Sequence, residues 1–261
     1  MSMNMQYENI EVWYNFLFGD FFEFERDSKL KSIVRYSNYP EKLFPTSLYD
    51  HQFQVAAIVK ELMISVSGND DSFDVTKMII MALIHDDHEP FGVGDLQSGN
   101  EHHMTSDEVR RHIISEGKSV IETIEFYPDT VGNYNYGHLL WEAVIGSSCL
   151  YGQLVKLCDK YAGLFEAMHE IVNGNESFQE QKVDATFGRL NPTPIQYYRT
   201  YFSNVTERLP LIADSISGKY STLAQLYAPL PESDLPMWHY DFCKKAIINH
   251  APESEKTRLG L

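Results

Sequence analysis

His51, His85, Asp86 and Asp159 are the residues whose types and spacing could do chemistry together. His85 and Asp86 are adjacent and directly follow the apolar run Met78–Ile84. His51 stands 34 residues before His85, and Asp159 stands 73 residues after Asp86. Imidazole nitrogen combined with carboxylate oxygen suits a borderline divalent ion such as Co, Mn, Zn, Ni or Fe. The surrounding stretch LIHDDHEPFGVGDL, Leu83 to Leu96, also carries Asp87, His88, Glu89 and Asp95. Neighbours within a helix point about 100° apart, but where a helix ends the backbone turns and both side chains can converge on one ion. Asp159 lies among Leu157, Cys158, Tyr161 and Ala162. A charge in such company is costly unless something compensates it; a metal would, and so would Lys156 or Lys160. Each residue alone has a plainer reading: a histidine at a helix start is usually a cap or solvated, and an isolated His-Asp pair is weak. The set His…His-Asp…Asp, with members on different expected helices, is a much stronger signal.

Those helices are legible from apolar periodicity and caps. Asp50 can cap a helix running to about Ser65, with Phe53, Ala56, Ala57, Val59, Leu62 and Met63 on its apolar side. Asp74 can cap a second, carrying Val75, Met78, Ile79, Ala82 and Leu83. Thr105 and Glu108 form a capping box that opens a helix through about Phe126. Residues 150–172 give the longest pattern, with Asn173-Gly174 as its stop. A further helix is expected from Pro194 to about Arg208. Strand signals are sparse, and prolines fall between the helical segments. The expected fold class is all-α. Residues 1–228 read as one domain, and residues 229–261, rich in proline and polar groups, read as a C-terminal arm or tail.

The chain has 261 residues and a formal net charge of -16. That balance argues against a general nucleic-acid or membrane-surface binder, which needs excess Lys and Arg to meet phosphates. It leaves room for a small phosphorylated substrate, because a metal and a few cations can reverse the potential inside a pocket. Three cysteines, Cys149, Cys158 and Cys243, without a C-x-x-C, point to a reducing cytoplasm rather than a disulfide framework. Neither a signal peptide nor a transmembrane run is apparent in the sequence.

The segments IVRYSNYP, YDHQFQVAAIVKEL, ALIHDDHEPFGVGDL and QLVKLCDKYAGLFEAMHEIVNGN occur in that order between Ile33 and Asn175. Together they resemble the HD-domain phosphohydrolases, most of all the bacterial HD-domain 5′-deoxynucleotidases and related phage enzymes that hydrolyse deoxynucleoside triphosphates. The most specific parts are H-D-x-x-E followed by G-D-L, and V-K-x-x-D followed seven residues on by Glu. The resemblance implies an HD-domain helical bundle with its metal ligands at His51, His85, Asp86 and Asp159. It implies that Glu89 handles the catalytic water, that Asp95 lies near the sugar and the reacting phosphate, and that Arg35 holds phosphate. Where the family has Trp after that arginine, this chain has Tyr36, and where it has Glu before the first histidine, this chain has Asp50.

These residue types suit phosphate ester hydrolysis. Such a reaction needs an activated water, charge neutralisation and a route for protons. Arg35 offers a bidentate fork, Lys156 a second cation, and Tyr36 a ring that could stack on base or sugar. His88, His102, His103, His112 and His138 are candidates for extra ligands, phosphate contacts or solvated loop residues. The leading expectation is hydrolysis of a deoxynucleoside monophosphate to deoxynucleoside and phosphate by one divalent transition-metal ion. The alternatives are release of triphosphate from a dNTP, or a non-catalytic nucleotide sensor on the same fold. A homodimer is the assembly the resemblance implies.

Overall fold

The computed structural model describes residues 25–37, 39, 41–67, 74–92, 104–127, 129–145, 149–183, 188 and 190–203. The expected arm at 229–261 and the stretch that would carry the last helix to Arg208 lie outside them. Seven α-helices follow one another among the described residues: α1 (Glu25–Ser32), α2 (Leu48–Ser67), α3 (Val75–Ile84), α4 (Ser106–Phe126), α5 (Tyr136–Ile145), α6 (Leu150–Val172) and α7 (Pro194–Ser203). Short 3-10 turns at Glu89–Phe91 and Glu176–Gln179 follow α3 and α6. The only strands described are β1 (Thr130–Val131) and β2 (Tyr134–Asn135), an antiparallel pair between α4 and α5. The all-α expectation holds, with this small hairpin as an addition.

α3 is the centre of the bundle. Its seven residues from Met78 to Ile84 are all fully buried, as a helix apolar all round must be. α2 packs on α3 and α6, and α5 also lies against both α3 and α6. The side chains at their contacts form one core that includes Val55, Ala56, Leu83, Leu139, Leu154, Leu157 and Tyr161. A second apolar cluster, Tyr39, Leu164, Ala167, Phe178, Tyr197 and Tyr198, joins the far half of α6 to α7.

Local chemistry sets the helix ends that matter for function. Asp74 accepts from Lys77 N at 3.0 Å and starts α3. The Thr105–Glu108 capping box starts α4 with both of its hydrogen bonds made. Asp50 does not cap α2 as expected: Ser47 does, and Asp50 sits in the first turn. Its Oδ2 accepts from Ser47 Oγ at 2.6 Å, while Ser47 Oγ accepts from Asp50 N at 3.2 Å. Hydroxyl and carboxylate thus satisfy each other reciprocally, which fixes the first turn one residue before His51. An antiparallel bridge of Val34 to Ser47 ties that turn to the preceding segment. Arg35 N donates to Thr46 O, and Leu48 N to Ile33 O, both at 3.0 Å.

Candidate metal centre

His51 enters from the first turn of α2, His85 and Asp86 from the end of α3, and Asp159 from the middle of α6. Their ligand atoms meet. His51 Nε2 lies 3.0 Å from Asp159 Oδ1 and 3.8 Å from Asp86 Oδ2. His85 Nε2 lies 3.3 Å from Asp86 Oδ2 and 4.0 Å from Asp159 Oδ1. His85 is the C-cap residue of α3 and Asp86 begins a turn; the break in the helix is what lets adjacent side chains face one point. His51 is wholly buried, whereas the side chains of Asp86 and Asp159 keep 14% and 16% of their exposure. The histidine is therefore the floor of the site and the carboxylates are its rim.

The donors fit an ion. His85 Nδ1 lies 2.7 Å from Ala82 O; the carbonyl can only accept, so Nδ1 carries a proton, and in the neutral ring Nε2 presents a lone pair to an ion. His85 Nε2 and Asp86 Oδ2 are buried and have no hydrogen-bond partner. Orphaned buried polar atoms are rare and call for a reason; two of them 3.3 Å apart and facing two further donors are what a cation would satisfy. Two imidazole nitrogens and two carboxylate oxygens suit a divalent transition metal.

His51 is oriented from behind. Its Nδ1 lies 2.7 Å from Glu166 Oε1, which directs Nε2 into the site. Burial, the largest influence, and Arg35 both push the imidazole pKa down, but Glu166 and the hydrogen bond to Asp159 outweigh them and hold it at about 9. Without an ion, His51 thus carries a second proton, aimed at Asp159, where the ion would bind; metal binding must release it. Burial pushes Asp86 up, but His85 and His51 hold it below the usual carboxylate value. Asp159 is likewise pushed up by burial and then held well below by Lys160, whose Nζ is 2.9 Å from Oδ2, and by His51. Of the two lysines that could compensate Asp159, Lys160 makes this contact.

Arg35 is buried beside the site. Its Nε donates to Glu166 Oε2 at 2.9 Å, and its Nη1 lies 3.9 Å from Asp86 Oδ2. Glu166 therefore braces both His51 and Arg35. Sequence reasoning gave it no role, although a signal was present: it stands seven residues after Asp159, two turns along one helix face. Tyr36 adopts a left-handed backbone, with φ of 53°. Its hydroxyl donates to Gly163 O and meets Tyr198 Oη, and its ring packs against Phe178 and Tyr39. Lys156 is half-buried on α6, one turn before Asp159.

Glu89 opens the 3-10 turn after Asp86 and is half-buried, its N–H donating to Asp86 O at 3.0 Å. His88 is buried, with Nε2 3.9 Å from both Glu89 Oε1 and Glu116 Oε1. His138 is exposed on α5 and lies 3.2 Å from Glu142; His112 is half-buried on α4. Asp95, His102 and His103 lie outside the described residues. Among the described residues no helix is long and apolar enough to cross a membrane.

The sequence pattern of the 5′-deoxynucleotidase YfbR-like family matches residues 21–206. Among solved structures, a conserved hypothetical protein from Pyrococcus furiosus is 21% identical, with a TM-score of 0.50 over 77% of this chain and 96% of that one. A protein from Pyrococcus horikoshii is 18% identical, with a TM-score of 0.52 over 78% and 96%. An HD-domain phosphohydrolase from Listeria innocua is 21% identical, with a TM-score of 0.52 over 70% and 77%. At these identities the likeness is one of fold. No curated protein matches the chain at comparable significance.

Proposed function

The chain belongs to the YfbR-like 5′-deoxynucleotidase family and is a metal-dependent phosphohydrolase of the HD class, and from that premise we propose that it hydrolyses deoxynucleoside 5′-monophosphates to deoxynucleoside and phosphate. The observation that carries this reading is the meeting of His51, His85 and Asp159, with Asp86 Oδ2 3.3 Å from His85 Nε2 and both of these atoms buried without a hydrogen-bond partner. In the proposal these four hold one divalent transition-metal ion. When bound, the ion neutralises phosphate charge and makes water a better nucleophile. The chain's own residues do the rest. Arg35 grips the phosphate: Glu166 fixes the guanidinium through Nε, and Nη1 lies on the side of Asp86. Glu89 receives the proton of the attacking water. Lys156 and Tyr36 line the substrate side, and Asp95 meets the sugar and the reacting phosphate. A homodimer belongs to the same proposal, with the exposed Ile113, Ile114 and Ile121 of α4 offering an apolar face.

The test is a panel of dNMPs, NMPs and dNTPs with Co²⁺ or Mn²⁺, with the products separated and Asp86→Ala as control. Nucleoside plus phosphate from dNMPs is the expected result. Loss of a ligand to the ion should cost about a thousandfold or more in rate, the equivalent of roughly 4 kcal/mol. Nucleoside plus intact triphosphate from dNTPs would move the assignment to a triphosphohydrolase. Metal binding without turnover of any nucleotide would leave a sensor. Light scattering on the same preparation should read twice the 30.1 kDa of one chain.

A further inference from the structure

Behind the candidate ligands lies a second polar cluster that the proposed chemistry does not use. Asp87 follows Asp86 and is 1% exposed. Its carboxylate accepts from Arg26 Nε at 2.8 Å, Arg26 Nη2 at 2.7 Å, Gln52 Nε2 at 3.0 Å and Tyr136 Oη at 2.9 Å. Arg26 Nη2 also donates to Gln52 Oε1 at 3.0 Å and to Leu83 O, an end carbonyl of α3. Arg26, Gln52 and Tyr136 are as buried as Asp87.

A buried ion pair is a poor way to gain stability, because desolvation offsets much of its attraction; in some proteins such pairs serve to fix geometry instead. Gln52 is the residue after His51 on α2, and Asp87 is the residue after Asp86 in the turn that ends α3. Arg26 brings in α1, and Tyr136 brings in α5. One cluster thus joins two of the three ligand-bearing elements, at positions directly adjacent to His51 and Asp86 and two residues from His85. At those ligands His85 Nε2 and Asp86 Oδ2 are buried without a hydrogen-bond partner.

We propose that Arg26, Gln52, Asp87 and Tyr136 form a clamp that sets the spacing of His51 against His85 and Asp86, holding the site open to a divalent cation before one arrives. They are positioning residues; none is placed on substrate. The inference rests on the ligand assignment proposed above, and its test separates the two. Co²⁺ is titrated into the full chain, with affinity and the visible absorption of the bound ion as readouts, alongside the thermal midpoint of each variant. The variants are Arg26→Lys, Asp87→Asn and Tyr136→Phe. The control is Leu140→Ala, a buried α5 residue outside the clamp's hydrogen bonds. Clamp variants should bind Co²⁺ about tenfold more weakly or worse, with an altered spectrum. Leu140→Ala should lower the thermal midpoint while keeping the parent's affinity and spectrum. Tyr136→Phe removes one hydrogen bond and keeps the ring, so it decides the matter if the two charge variants fail to fold. Clamp variants that bind as the parent does, or a Leu140→Ala chain that weakens binding equally, would overturn the clamp. A parent that binds no Co²⁺, or a His51→Ala chain that binds as the parent does, would overturn the ligand assignment and the clamp with it.

Discussion

Glu166 holds two groups at once: His51 Nδ1 at 2.7 Å through one oxygen and Arg35 Nε at 2.9 Å through the other. Burial alone would raise its pKa, but Arg35 and His51 keep it below the usual glutamate value, so it acts as an anion accepting from both. Glu166→Gln keeps the shape and replaces one acceptor by a donor, which must then face either Arg35 or His51. Metal affinity or kcat/KM should fall about 10–100-fold, as when the partner behind a ligating histidine is lost. An equilibrium Mn²⁺ titration and initial rates check it; parent-like values for both would show that His51 is oriented by something else. His51, His85, Asp86 and Asp159 were legible in the sequence because each is a polar intrusion at the end or inside of an apolar helix. Glu166 was harder to read because a glutamate on a long helix is ordinarily solvated; it becomes unusual only when α2 closes over it. Asp87 was lost in the acidic run of the same stretch, since nothing local shows that its counterion is Arg26, 61 residues earlier.

α6 and α7 meet at Gly163. A methyl there would come within 1.9 Å of Tyr198 Oη and 3.3 Å of Arg35 Nη2. The bare backbone is what lets Tyr198 reach in beside Tyr36, whose hydroxyl donates to the Gly163 carbonyl. Gly163→Ala should destabilise by about 1–3 kcal/mol through overpacking, lowering the thermal midpoint by roughly 2–4 °C per kcal/mol for a chain of this size. Tyr198→Phe removes the nearest atom, so the double variant should recover part of the loss. A Gly163→Ala chain that melts with the parent would refute the close approach. The same scale shows which helices sequence could reveal. α3 and α4 carry apolar residues behind local caps, Asp74 and Thr105, while α6 has the longest apolar pattern and ends, as expected, at Asn173. α1, with the sequence ERDSKLKS, has only Leu30 as an apolar anchor. It is held by Arg26 pairing with Asp87 and Gln52, a tertiary contact that no local pattern announces. The hairpin before α5 escaped notice because two-residue strands are too short to show alternation.

The whole chain carries a formal charge of -16, yet its proposed substrate is an anion. Among the described residues, Arg35 lies on Glu166 and Lys160 on Asp159. These two cations therefore add little to draw a nucleotide from a distance, and the far field of the chain repels it. Salt shortens that reach, from a Debye length of about 30 Å at 0.01 M to about 8 Å at 0.15 M. With metal kept saturating, kcat/KM for a dNMP should therefore rise, by about twofold or more, over that range of salt. A dNTP carries more negative charge, so its kcat/KM should begin lower and rise more steeply, and that difference by itself favours the monophosphate at low salt. Initial rates across a salt series with both substrates measure it directly. A fall with salt for both would mean that cations elsewhere in the chain steer the substrate in, and the charge argument for the smaller nucleotide would no longer stand.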